Sequence, residues 1–154
     1  MIVEMTLEHA LYVCRNIKKL SYDSMEGTRF TYDPQEFAIS RFMTDGLKLT
    51  CLAKDGTPVG IGGLQLTHPK VWTAWVIGTE RWNECSREII WKCRKTIKSM
   101  MAKEDACHRI QATCLSDDPG ARRYLELVGL EWEDDKKRMR KDGGSMSFYS
   151  VVSP

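Results

Sequence analysis

The stretch ERWNECSREII, residues 80 to 90, sets charged and hydroxyl side chains between a predicted strand and a long basic helix. Arg81, Ser86 and Arg87 can donate hydrogen bonds to an anion, and a helix N-terminus adds open N–H groups and partial positive charge. That is the chemistry of a phosphate grip. Glu84 opposes it, because like charges 4 Å apart repel by ~1 kcal/mol in water and several-fold more near a protein surface. An acidic residue in the first turn of a helix also offsets the macrodipole by roughly 0.3–1 kcal/mol with no ligand present. The turn therefore reads either as an anion site or as an ordinary helix start.

Other reactive groups are scattered. The six cysteines include no C-x-x-C pair and the three histidines stand far apart, so no metal site is expected. With no sign of secretion, the cysteines are read as reduced and structural. The chain has 154 residues, 42% hydrophobic and 29% charged, with a formal net charge of +2. That charge gives no whole-protein case for nucleic acid. The basic run KKRMRK, residues 136 to 141, follows Glu131, Glu133, Asp134 and Asp135 and reads as a solvated face. No apolar run approaches the ~20 residues that cross a bilayer. Glu4, Glu8 and His9 stand where a signal peptide needs a basic start, so a cytoplasmic protein is expected.

The elements that must position these groups follow from periodicity. Ile2 to Met5 is a short strand, and Thr6 caps a helix whose apolar positions run from Leu7 to Leu20. Residues 21 to 32 read as a polar loop, and Asp33-Pro34 opens a second helix ending at Asp45-Gly46. Three strands follow: 47 to 53, 58 to 66 and 71 to 78. The first pair turns at Lys54-Asp55-Gly56-Thr57. Residues 84 to 103 form a long helix and 108 to 115 a fifth strand. Asp118-Pro119 starts the last helix, stopped by Gly129, and a hairpin around Asp142-Gly143-Gly144 closes the chain. The prediction is one α/β domain over residues 1–154, with a central mixed sheet of about seven strands and about four flanking helices.

That order, read with ARRYLELVGLEWE, resembles the GNAT N-acetyltransferase family. Asp118, Ala121, Gly129 and Leu130 take the places of the asparagine, alanine, glycine and phenylalanine of the family's fourth-helix signature. Against its cofactor turn, Arg81, Glu84, Ser86, Ile89 and Ile90 fall in register, with Glu84 and Ser86 at the glycine positions. The resemblance implies acetyl-CoA as cofactor and an amine as acceptor. It places the pyrophosphate on Arg81, Asn83, Glu84, Cys85, Ser86 and Arg87, the pantetheine and acyl arm along Ala74 and Val76, and Asp118 near the pantetheine. The tyrosine that protonates the leaving thiolate in many members falls at Leu125. Tyr124 is the nearest phenol and so the candidate acid, although one helical step of ~100° suits it to packing. Glu80 is the first candidate base and His68 the second.

The block from Val71 to Pro154 resembles, more loosely, GNAT-like proteins of short-tailed phages, some of them internal virion or assembly proteins. It implies an alternative, a non-catalytic component that binds a phage or host protein, located in the host cytoplasm or the virion. Among the five tryptophans, Trp72, Trp91 and Trp132 read as core. Trp82 is expected to be exposed, stacking on a nucleotide or closing the cleft.

Overall fold

The computed structural model describes residues 1–154. Seven strands form one mixed sheet in the order β1-β2-β3-β4-β5-β7-β6. They are β1 (Ile2–Glu4), β2 (Leu47–Leu52), β3 (Pro58–His68), β4 (Val71–Gly78), β5 (Arg109–Leu115), β6 (Glu131–Lys136) and β7 (Met146–Val152). The helices are α1 (Leu7–Arg15), α2 (Lys19–Gly27), α3 (Pro34–Met43), α4 (Ser86–Met101) and α5 (Pro119–Val128). A 3-10 turn, Trp82–Glu84, leads into α4. No helix is long and apolar enough to cross a membrane.

The chain falls into two compact units: Met1–Gln65 with Trp75–Ile89, and Leu66–Ala74 with Ile90–Pro154. In the first, β1 pairs antiparallel with β2, and β2 with β3. Its core packs Met5, Ala10, Val13 and Cys14 against Phe37, Ala38, Ile61 and Ile77. Gly46 is obligatory here, because its φ is +119° and a Cβ would lie 2.1 Å from the Leu64 carbonyl oxygen. In the second unit, the start of β4 pairs parallel with β5 through Val71, Trp72 and Thr73, and β7 lies antiparallel between β5 and β6. Ile110, Leu125, Val128, Leu130 and Tyr149 are buried there.

Helix starts follow their caps. Thr6 accepts the His9 N–H at 3.2 Å, Asp33 that of Glu36 at 2.8 Å, and Asp118 that of Ala121 at 2.9 Å. Three expectations need correction. The first predicted helix ends at Arg15, and the predicted loop from residue 21 is helical through Gly27, which makes five helices rather than four. The break occurs because Ile17 leaves the helix to bridge Thr79, and the Lys18 N–H donates to the Gly78 carbonyl at 2.9 Å. A long-range sheet contact overrides local apolar spacing here. The predicted long helix is also trimmed to Ser86–Met101, with its first expected residue in the 3-10 turn.

Candidate functional site

Between β4 and α4 the backbone folds tightly on itself. The Thr79 N–H and hydroxyl both donate to the Val59 carbonyl, at 3.0 and 3.1 Å. Trp82 N–H donates to Thr79 O, Glu84 N–H to Arg81 O and Cys85 N–H to Trp82 O. The Ile89 N–H to Cys85 carbonyl bond, 3.0 Å long, then opens α4. At such a start the N–H groups of Ser86, Arg87 and Glu88 have no intrahelical acceptor.

The Trp82 indole holds this turn down. A Cβ at Gly60 would lie 2.8 Å from Trp82 Cζ3, and one at Gly78 would lie 2.7 Å from Cε3, so both glycines make room for the ring. The Lys18 ammonium sits 5.2 Å from the ring centroid. Trp82 is therefore half-buried packing rather than the exposed stacking surface expected from sequence. Conversely, Trp91 and Trp132 are 62% and 52% exposed and do not join the core. Trp132 lies on the edge strand β6, where its Nε1 donates to Asp135, and Trp91 turns outward from the apolar face of α4.

Electrostatically, the turn is organised around Arg81. Its Nε donates to Glu84 Oε1 at 2.7 Å, its Nη2 to Glu84 Oε2 at 2.8 Å, and its Nη1 to Asp55 Oδ2 at 3.1 Å. The bidentate bond to Arg81 holds the Glu84 carboxyl below its ordinary range. Asp55 is pulled down to about 2, first by the Thr57 backbone N–H, then by the Thr57 hydroxyl, then by Arg81. The carboxylate expected to repel a phosphate is thus already paired, and so is the arginine expected to attract one. Ser86 Oγ donates to the Asn83 carbonyl at 3.4 Å, and the Arg87 side chain is exposed.

The remaining candidates each have a local partner or setting. Glu80 is exposed, and its Oε1 accepts the Lys19 N–H at 3.2 Å, which caps α2 where Lys18 offers no side-chain cap. Ala74 and Val76 are half-buried on β4, and His68 is exposed at the end of β3. In the second unit, the buried Asp118 caps α5 and the Tyr124 hydroxyl lies 3.3 Å from Cys93 Sγ. Burial, then the Cys93 thiol, pushes the Tyr124 phenol well above its ordinary value. Leu125, at the position of the family's tyrosine, is buried. The turn thus gathers Arg81, Asn83, Glu84, Cys85, Ser86 and Arg87, with Glu80 beside it. Asp55 was not foreseen as part of the turn. It was legible as a hairpin residue, but nothing in its neighbourhood in sequence points to Arg81.

No protein-family model matches the chain, and no curated protein matches it by sequence. Solved structures do match in shape. A candidate acetyltransferase from Acinetobacter baylyi ADP1 superposes with a TM-score of 0.77 at 14% identity, covering 99% of this chain and 92% of that one. A GCN5-related N-acetyltransferase from Kribbella flavida gives 0.72 at 14% identity, covering 99% and 97%. A ribosomal-protein-S5-alanine acetyltransferase from Vibrio fischeri gives 0.69 at 10% identity, covering 98% and 91%. At such identities the likeness is one of fold, and it spans nearly every residue, from β1 to the closing hairpin. The chain has the fold of the GNAT N-acetyltransferases.

Proposed function

We propose that the protein is an acyl-CoA-dependent N-acetyltransferase that moves an acetyl group from acetyl-CoA to an amine. The observation that carries this reading is the turn after β4, which delivers the open N–H groups of Ser86, Arg87 and Glu88 at the start of α4. In the family resemblance, that place is the pyrophosphate turn. The donor chemistry fits a diphosphate, because backbone amides, the Ser86 hydroxyl and the exposed Arg87 guanidinium all donate. Arg81 joins them when Glu84 or Asp55 releases it. Asn83 and Cys85 shape the turn through their backbone, and Ala74 and Val76 on β4 are the stretch assigned to the pantetheine and acyl arm. Asp118 supports α5 as its cap.

When bound, acetyl-CoA supplies an acetyl group activated as a thioester. The chain's own contribution is to orient the acceptor and move protons. Glu80, exposed at the end of the strand, is assigned to take the proton from the acceptor amine, directly or through water. The Tyr124 phenol keeps its proton at neutral pH, but its hydroxyl is directed at Cys93, so we assign it to packing. Positioning of a nucleophilic amine supplies much of the rate in such a site. One of the fold neighbours acts, by its name, on the alanine of ribosomal protein S5. For this chain the acceptor class is an amine.

The direct test follows CoA release from acetyl-CoA with a panel of peptide N-termini, lysine peptides and polyamines. Amine-dependent release that falls 10²-fold or more in Glu80→Gln supports the assignment, a loss within the ~10²–10⁴-fold reach of general base catalysis. Acetyl-CoA binding without amine-dependent release from any member of the panel would contradict it.

A further inference from the structure

Beside the turn lies a second group of ligating side chains that acetyl transfer does not use. Cys51 on β2, Cys85 at the end of the turn and Glu88 in the first turn of α4 bring two sulfurs and a carboxylate oxygen within 4.8 Å of one another. Both thiols are buried, at 4% and 5% exposure, and Glu88 is exposed. The Cys85 thiol points to the Leu52 carbonyl at 3.5 Å, and Glu88 accepts the Met1 ammonium at 3.0 Å. All six cysteines are free thiols.

The spacing suits a metal. Tetrahedral zinc with Zn–S bonds of ~2.3 Å sets two sulfurs ~3.8 Å apart and a sulfur ~3.5 Å from a carboxylate oxygen. From separations of up to 4.8 Å, the sulfurs therefore need to close by about 1.0 Å at most and a sulfur–oxygen pair by about 1.3 Å at most. Two thiolates and a carboxylate make a soft-to-borderline donor set, which selects zinc-class cations over magnesium or calcium. The Cys residues are shielded while the Glu88 edge is open to solvent, which gives a path of entry.

We propose that Cys51, Cys85 and Glu88 bind a zinc-class divalent cation that fastens the turn to β2. Metal binding displaces the protons of its thiol ligands, so the apparent affinity rises with pH. The ligands come from three separate elements, which is why the spacing of cysteines along the chain gave no metal signal.

Cobalt(II) titrated into reduced, chelator-treated protein tests this. A thiolate-to-cobalt charge-transfer band that saturates at one equivalent is expected. Folded Cys51→Ser and Cys85→Ser should lose it, while Cys93→Ser should keep it. Glu88→Gln alters only an exposed side chain, so it serves even if the serine variants fail to fold. It should weaken cobalt binding by about tenfold or more, since loss of an outer-shell partner alone costs 10- to 100-fold. No charge-transfer band at excess cobalt, a band retained in the folded serine variants, or unchanged affinity in Glu88→Gln would overturn the proposal.

Discussion

The Arg81 guanidinium holds both carboxylate oxygens of Glu84, through Nε at 2.7 Å and Nη2 at 2.8 Å. Each residue thereby removes the other from competition for a ligand. Glu84 no longer presents a bare negative charge at the start of α4, and Arg81 no longer presents a free positive one. A fork-to-fork pair of this kind fixes both side chains in one geometry.

Replacing Glu84 with glycine should therefore act twice, freeing Arg81 and opening the space that a Cβ occupies. A released guanidinium about 4 Å from a phosphate attracts it by ~1 kcal/mol in water, which corresponds to about fivefold tighter binding. Calorimetric titration of Glu84→Gly with acetyl-CoA should show that gain. Unchanged or weaker affinity would show that the cofactor's phosphates do not lie on this turn.

The Asp55 carboxyl gives a pH signature. Its depressed value means that its hydrogen bonds to Thr57 and Arg81 are intact above the ordinary carboxylate value of ~3.9. They are lost as pH falls through about 2. Carbon-13 NMR of the side-chain carboxyl should show this low midpoint. In Arg81→Ala the midpoint should rise only part of the way towards ~3.9, because the Thr57 N–H and hydroxyl are the larger causes. A full return to the ordinary value would assign the whole effect to Arg81.

Trp82 and Gly78 should behave as one unit. Gly78→Ala alone drives a Cβ to 2.7 Å from the indole and should cost about 1–3 kcal/mol, as overpacking does. In a Trp82→Ala background most of that cost should disappear, giving a coupling of about 1 kcal/mol or more in a denaturation cycle. Additive losses would place the ring elsewhere.

Several of these relationships were legible in the sequence and others were not. The alternation in β2 to β4, the caps Thr6, Asp33 and Asp118, and the stop at Gly129 are local signals, and the local backbone obeys them. The break at Asn16–Lys18 was not legible, since Ile17 continues the apolar spacing of α1 and leaves it only for a bridge to Thr79. Tryptophan burial failed for a similar reason. Trp91 adjoins an apolar stripe but faces outward, and Trp132 alternates correctly on a strand that lies at the sheet's edge. The Arg81–Asp55 contact was not legible either, because it depends on a hairpin distant in sequence.

Tyr124 can be separated from catalysis directly. Its hydroxyl contact with Cys93 is a neutral hydrogen bond, so losing it in Tyr124→Phe should lower stability by about 0.5–1.5 kcal/mol and leave kcat within about twofold. A fall of 10²-fold or more, in the range of general acid catalysis, would return the phenol to the reaction.

The most direct test of the turn as a cofactor site is the melting temperature with and without millimolar acetyl-CoA. At 100 times its dissociation constant a ligand adds about 2.7 kcal/mol, a shift of several degrees for a domain of this size. That shift is expected in the native protein and should be lost when Arg81 and Arg87 are both changed to alanine. An unchanged melting temperature at saturating acetyl-CoA would contradict cofactor binding by this turn.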